Sequence, residues 1–370
     1  MTKKIIDIIA GARPNFVKIA PIIAAIENEK RKGTAIDFRL IHTGQHYDQK
    51  LSGDFFYQLG IPAPNFNLEV GSGTQAEQTA RIMMGYETLL LKSPCNLCLV
   101  VGDVTSTMAC SIAAKKLNID VAHVEAGIRS GDRSMPEEIN RIVTDSITDY
   151  FFTTSEVANE NLKNAGIRDR QIFFVGNTMI DTLLKQMPNF KRPSFWSSEQ
   201  LSDKNYFVLT LHRPSNVDEV NHLNELLNEI MQHTRGCKVV FPVHPRTSKM
   251  LARMDASFEQ LYLTEPMSYF EFNYLVKHAK AVITDSGGIT EETTVMQIPC
   301  ITLRGSTERP ETCTIGTNEL IGTNPEAIKL ILDKLFAGNW KKSGIPPLWD
   351  GQSSNRIIEH LLEILFSDLN

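Results

Sequence analysis

AVITDSGGITEETTVMQIPCITLR, residues 281–304, runs through one complete folding unit. An apolar, β-branched run ends at Asp285, two glycines follow, a helix-like run carries Glu291 and Glu292 near its start, and a second apolar run opens at Cys300. Strand, glycine turn, helix and strand in that order predict parallel strands joined by a crossover helix. The glycines sit at the mouth of the helix, where unpaired N–H groups carry partial positive charge and a phosphate can approach bare backbone. A plain tight turn with an N-cap satisfies the same short pattern, so the stretch decides the fold before it decides the ligand.

The rhythm extends in both directions. KIIDIIA, FRLIHTG, NLCLVVGD, DVAHVEAG, YFFTTS and QIFFVGN alternate with amphipathic segments in the first half of the chain, and YFVLTLH, CKVVFPVHP, LYLTEP, AVITDSGG, CITLR and ELIGT do so in the second. Continuous apolar strands separated by helices mean parallel sheets covered on both faces. KQMPNFKRPSFWSSEQLSDKN breaks the alternation with two prolines and many polar residues, which marks an interdomain linker at 185–204. The expected fold is α/β, with two Rossmann-like domains at 1–184 and 205–354 and a cleft between them. A last helix within 355–370 has no strand after it and is expected to return to the first domain.

Composition narrows the function. A length of 370 residues suits two domains, and 42% hydrophobic with 22% charged residues places the chain in the globular class. The net charge of −5 argues against broad attraction to nucleic acid or an anionic membrane. No apolar run reaches the length of a membrane span, and Asp7 inside the first apolar stretch fits a strand better than a signal peptide. Six cysteines, at 95, 98, 110, 237, 300 and 313, are too sparse for a secreted disulfide scaffold, which points to a reducing cytoplasm. Cys95 and Cys98 form a CxxC without a second pair or a nearby histidine, so they read as core residues and no metal site is expected.

Polar residues gather where the strands end, which is where open α/β sheets bind ligands. They read Gly11-Ala12-Arg13-Pro14-Asn15 with Lys18; His42-Thr43-Gly44-Gln45-His46; Gly102-Asp103; His123-Val124-Glu125; His212-Arg213; His244-Pro245-Arg246; and Asp285-Ser286-Gly287-Gly288. Arg13 and Lys18 flank a helix start directly after the first strand and suit a pyrophosphate. Glu137 precedes Asn140 and Arg141 by three and four residues, so one helix face offers an acid and a cation. Glu138 reads as a helix-dipole partner only. Asp103, Glu125 and Glu137 together form a candidate set of acids, and crowded acids separate their pKa values into a proton donor and a proton acceptor. Gly71-Ser72-Gly73-Thr74-Gln75-Ala76 imitates a dinucleotide fingerprint, but the acid at Asp103 lies some thirty positions on, not about twenty, and NFNLEV is a poor buried strand. Bound NAD is therefore not expected.

GARPNFVKIAP, HTGQHYD, GDVTSTMACSIAA, HVEAGIRSGDRSMPEEINR, VGNTMID, HRPSNVD, PVHPRT, DSGGITEE and TERPET, in this order, resemble the non-hydrolysing UDP-N-acetylglucosamine 2-epimerases. The resemblance covers roughly residues 5–325. It implies a glycosyltransferase-B-like pair of domains, a homodimer, and interconversion of UDP-N-acetylglucosamine and UDP-N-acetylmannosamine through elimination of UDP and its re-addition. By motif alignment it places Asp103, Glu125 and Glu137 on the family's catalytic acids and His212 on its cleft histidine. Arg13, Lys18, Arg141, Ser286, Gly287, Gly288, Glu292 and Arg309 fall on nucleotide and diphosphate positions, with Glu292 toward the ribose. Gln45, His46, Gln75 and His244 match cleft positions that a second, regulatory nucleotide uses in some members.

The chain departs from the common pattern at several points. Ala12 and Asn15 replace the threonine and glutamate of GTRPE, the loop between Asp132 and Pro136 is two residues short, and HRPSN stands for HRREN or HREEN. Asp48 and Thr74 replace the glutamine and arginine of regulated members, which counts against activation by substrate. The resemblance leaves room for relatives that act on another UDP-2-acetamido sugar, a 6-deoxy hexose or a 2,3-diacetamido uronic acid, and for a sugar transferase of the same architecture.

Overall fold

The computed structural model describes residues 2–44, 56, 58–243, 245–252 and 258–366. The chain divides into two compact units, Met1–Lys185 with Pro347–Asn370, and Gln186–Pro346. Each is built on one parallel sheet.

In the first unit, β1 (Lys4–Ala10), β2 (Ile36–His42), β3 (Phe66–Asn67), β4 (Leu97–Val101), β5 (Val121–Val124), β6 (Tyr150–Thr153) and β7 (Ile172–Phe174) lie in the order β3-β2-β1-β4-β5-β6-β7. Chain order reverses between β1 and β4, which makes that pair the topological switch point where such sheets take ligands. All five residues of β4, LCLVV, are buried, as a strand covered on both faces requires. Asp7 interrupts the apolar run of β1, and the register explains it. Asp7 stands directly opposite Arg39 on β2. Its Oδ1 and Oδ2 accept from Arg39 Nε at 2.6 Å and Nη2 at 2.8 Å, and the Tyr86 hydroxyl donates to Oδ2 at 3.0 Å. Removing one member of such a buried set strands the others without partners. Cys95 and Cys98 are free and buried beside them, and burial pushes the Cys95 thiol up to about 12.

The second unit repeats the plan. β8 (Tyr206–Thr210), β9 (Lys238–Pro242), β10 (Leu261–Thr264), β11 (Ala281–Thr284), β12 (Cys300–Thr302) and β13 (Asn318–Leu320) lie in the order β10-β9-β8-β11-β12-β13, with the switch point between β8 and β11. Alternate residues of one strand serve opposite faces. Phe207 and Leu209 join Leu223, Leu227, Ile230 and Leu332 on one side, and Tyr206 and Val208 join Leu275, Val276 and Val282 on the other.

Of the expected linker at 185–204, Lys185 belongs to the first unit and the rest to the second, where Trp196 and Leu201 are buried in the cluster that holds Tyr206. The chain returns to the first unit at Pro347. There the Trp349 Nε1–H donates to the Thr154 carbonyl at 3.0 Å, and the helix Ser353–Phe366 starts against Asp181. Asp181 accepts the backbone N–H groups of Ser353 at 3.0 Å and Ser354 at 2.6 Å, so two orphan donors of that helix end on a carboxylate from far up the chain. Among the described residues no helix is long and apolar enough to cross a membrane.

The pseudo-fingerprint at 71–76 follows β3, a two-residue exposed strand at the sheet edge. Thr74 caps the next helix there, accepting the Glu77 N–H at 3.3 Å while Glu77 returns a bond to the Thr74 N–H at 2.9 Å. This pair forms a capping box. The phosphate-loop position of the sheet belongs instead to the turn after β1, Gly11 to Asn15.

Candidate active site

The switch point of the first unit is tied together by Asn15. Its Oδ1 accepts the N–H groups of Gly11 and Ala12 at 3.2 and 3.1 Å, and its Nδ2 donates to the Val101 carbonyl at the end of β4 at 2.9 Å. Asparagine can do both because it carries an acceptor and a donor; the glutamate that the family pattern leads one to expect there cannot, when ionised. The helix Arg13–Arg31 begins at this turn with Pro14 near its first position, where no N–H is needed. Lys18, one turn into it, reaches Glu125 Oε2 at 2.5 Å, and both side chains are more than nine-tenths buried. A Cβ on Gly102 would stand 3.1 Å from the Lys18 ammonium, so Gly102 makes room for that cation. Glu125 itself has φ of +74°, an unusual conformation for a residue with a side chain, kept in place by its N–H to the Phe152 carbonyl at 2.9 Å.

Asp103 follows Gly102 and is held from the helix Pro136–Ile147. Arg141 Nη2 and Nε donate to Asp103 Oδ2 at 2.5 and 3.1 Å, and Asn140 Nδ2 donates to the Asp103 carbonyl at 2.8 Å. Arg141, expected on a diphosphate position, is thus buried between carboxylates, because its Nη1 donates to Glu138 at 2.8 Å. Glu138 does more than complement a helix dipole. It also accepts the N–H groups of Ser130 and Gly131 at 2.9 and 3.1 Å, fixing the loop that leads into the helix. Burial alone would raise its carboxyl pKa; the Ser130 N–H and Arg141 outweigh that and hold it below the ordinary value.

Asp103 and Glu137 line one recess of about 140 Å³ together with Gln75, Thr105 and Asn140. Gln75 is oriented by the Thr105 hydroxyl, which donates to it at 3.0 Å. Beneath the recess His123 links Gly102 to the core: one ring nitrogen lies 2.9 Å from the Gly102 carbonyl and the other 2.7 Å from Asp145. The first unit therefore offers two carboxylates at an open recess and a third, Glu125, paired with a cation next to the same turn.

The second unit presents its own switch point. His212 follows β8 and Asp285 follows β11, and His212 Nδ1 lies 2.7 Å from Asp285 Oδ1. Asp285 is fully buried and also accepts the backbone N–H groups of His212 and Arg213 and the Asn216 amide. Burial works to raise its pKa, yet His212 and these donors keep it below the ordinary carboxylate value. An ionised carboxylate only accepts, so a neutral His212 carries its proton on Nδ1 and turns Nε2 outward from a side chain that is 56% exposed. Asp285 stands among the strand-end residues with no role marked by sequence pattern alone; the pairing of β8 with β11 gives it one.

Ser286 occupies the N-cap of the helix Gly287–Met296 without a side-chain capping bond, and no acid stands in the first turn. Glu292, on that helix, accepts from the Tyr269 hydroxyl at 2.9 Å, and burial lifts its carboxyl to about 7. Arg309 is buried and pairs through Nε with Glu291. Gln45, His46 and His244, together with the Arg13 side chain, lie outside the described residues.

Comparison with known proteins bears directly on this arrangement. The family model described as UDP-N-acetylglucosamine 2-epimerase matches residues 28–362. The chain belongs to the UDP-N-acetylglucosamine 2-epimerase family. It is 41% identical to the UDP-N-acetylglucosamine 2-epimerase of Methanocaldococcus jannaschii over 96% of this chain and 98% of that one. It is 38% identical to the UDP-2,3-diacetamido-2,3-dideoxy-D-glucuronate 2-epimerase of Pseudomonas aeruginosa over 98% and 100%. The crystal structure of the M. jannaschii epimerase in complex with UDP-GlcNAc and UDP superposes with a TM-score of 0.85 at 40% identity, covering 96% of this chain and 99% of that one. The two Rossmann-like α/β units expected from sequence are thus those of an epimerase family, and the family's reaction is an isomerisation.

Proposed function

We propose that this enzyme interconverts UDP-N-acetylglucosamine and UDP-N-acetylmannosamine, and that the residues described above carry the reaction. The observation that supports the assignment best is the shared recess of Asp103 and Glu137, with the Lys18–Glu125 pair at the adjoining turn. Epimerisation at C2 needs a base on one face of the sugar and an acid on the other. In the first step a carboxylate takes the C2 proton, a C1–C2 double bond forms, and the C1–O bond breaks with its electron pair leaving on UDP. In the second, a phosphate oxygen of UDP returns to C1 and an acid delivers a proton to the opposite face of C2. The two steps cancel in oxidation level, so the chemistry calls for no redox cofactor.

Asp103, Glu125 and Glu137 are assigned to proton transfer, with His212 as a further acid–base group whose tautomer Asp285 sets. Lys18, Arg13 and Arg309 are assigned to the anionic substrate, Arg141 to the diphosphate region as the cation that positions Asp103, and Ser286, Gly287 and Gly288 to the diphosphate at a helix N-terminus. Glu292 is assigned to the ribose, and His244, Gln45, His46 and Gln75 to cleft positions. A homodimer and a cytoplasmic setting belong to the same reading; all six cysteines are free, as a reducing compartment keeps them.

Proton NMR with UDP-N-acetylglucosamine in D2O, without acceptor or cofactor, tests the reading. UDP-N-acetylmannosamine should appear and deuterium should enter at C2. Free N-acetylmannosamine with UDP would assign the hydrolysing reaction instead. The likeness to the P. aeruginosa enzyme supports a second reading, a UDP-2,3-diacetamido uronic acid as substrate. Turnover of that nucleotide alone, with the first left untouched, would establish it.

A further inference from the structure

The second unit contains a buried cation that the motif alignment leaves unassigned. Arg304 stands just past β12 and is 5% exposed. Its Nη2 donates to Glu308 Oε2 at 2.6 Å, while its Nη1 is buried and has no hydrogen-bond partner among the described residues. That unused edge of the guanidinium points at the glycine turn: Nη1 is 3.6 Å, and Glu308 Oε1 2.6 Å, from where a Cβ would stand on Gly287. Gly287 opens a ten-residue helix that has neither a side-chain cap nor an acid in its first turn. A buried guanidinium N–H left unpaired is costly, and its best complement is an anionic oxygen.

We propose that Arg304 is a diphosphate-binding residue, its Nη1 donating to a phosphate oxygen seated at the N-terminus of the helix Gly287–Met296. The inference rests on the reading that this helix end receives the diphosphate of a UDP-sugar. Glu308 holds the other edge of the fork, so the guanidinium is locked in orientation before the ligand arrives. Burial alone would raise the Glu308 pKa, but Arg304, helped by Arg309, brings it down to about 2, so the Glu308 carboxylate is ionised throughout the neutral range. When the C1–O bond breaks, its electron pair adds charge to the departing phosphate oxygen. A fixed buried cation favours that charge more in the transition state than in the bound substrate.

Titration calorimetry with UDP, and NMR titration with uridine, on the wild type, Arg304→Lys and Glu308→Gln separate the possibilities. Lysine keeps the charge but loses the fork, so the UDP Kd should rise about tenfold or more while the uridine Kd stays within about twofold. Glu308→Gln keeps an acceptor on Nη2 and removes the competing charge, so UDP should bind several-fold tighter. A UDP Kd within twofold of wild type in Arg304→Lys overturns the role of Arg304 and leaves the nucleotide reading standing. Failure of the wild type to bind UDP overturns both. If Arg304→Lys does not fold, Glu308→Gln decides: tighter UDP binding supports the role, and unchanged or weaker binding overturns it.

Discussion

Asp285 and His212 end two neighbouring strands, and their side chains meet at 2.7 Å across the switch point of the second unit. The carboxylate is saturated with donors, so it restrains the imidazole in both position and tautomer.

Asp285→Asn tests that restraint. The amide has one accepting oxygen in place of two, so at least one buried donor loses its partner, at a cost of roughly 1–3 kcal/mol in stability. Turnover should fall by at least about tenfold, equivalent to ~1.4 kcal/mol of barrier, with a smaller change in KM. The pH dependence of kcat is the deciding readout, since a purely structural role lowers the plateau without moving the profile. The depressed pKa of Asp285 gives a second sign to check: its stabilisation is present at neutral pH and is lost as pH falls through the native value. The variant should therefore lose stability against wild type at pH 7 and approach it in acid.

Glu138 is linked to the recess through Arg141 and Asp103. Glu138→Gln should release either the Gly131 N–H or Arg141, destabilise the protein by roughly 1–3 kcal/mol, and lower kcat through a misplaced Asp103. UDP affinity should change by less than kcat does. Parallel thermal melts, single-turnover kinetics and UDP titrations measure all three, and an unchanged kcat alongside a lowered melting temperature would reduce Glu138 to a structural tie.

Glu292 sets a pH dependence of opposite sign to that of Asp285. Its native pKa of about 7 lies above the ordinary 4.5, so the unliganded protein is fully stabilised below the lower value and loses stability as pH rises through the upper one. The loss is on the order of 3 kcal/mol and should be absent in Glu292→Gln. Ribose hydroxyls donating to the carboxylate favour its ionised form, so UDP binding near pH 6.5 should expel a proton and tighten as pH rises toward 8. Calorimetry in buffers of different ionisation enthalpy counts that proton. Binding without release would separate Glu292 from the ribose.

Apart from the two-residue, exposed β3, the strands were legible in the sequence because each is a short apolar run, and the polar residues clustered at their ends marked the candidate site; the switch points came only with the strand order. Asp285, Glu138 and Arg304 escaped for a different reason. Each takes its role from a neighbour on another strand, helix or loop, and residue type alone does not reveal which elements will lie side by side. Glu138 also sits where a helix dipole already accounts for an acid. The stretch 185–204 reads as a linker because prolines and polar residues dominate it, while the few side chains that bury themselves, Trp196 and Leu201, are widely spaced. Asn15 shows the converse. A departure from the familiar motif became intelligible once its amide was seen bonding to both sides of the first turn.

The tie between Asp181 and Ser353 joins positions 172 residues apart, with the whole of the second unit encoded between them. During synthesis the earlier carboxylate emerges long before the helix start that will neutralise it. Until then the first unit has an open seam, a buried-to-be acid in water, and no Trp349 against Thr154. The later unit is encoded without interruption, and its core is complete once the helix Ala327–Phe336, which supplies Ile328, Ile331 and Leu332, has followed its last strand. The half of the enzyme that is translated first is therefore the half that is completed last, and a chain stopped short of Pro347 would hold every residue of the second unit while its first lacks Trp349 and the helix Ser353–Phe366.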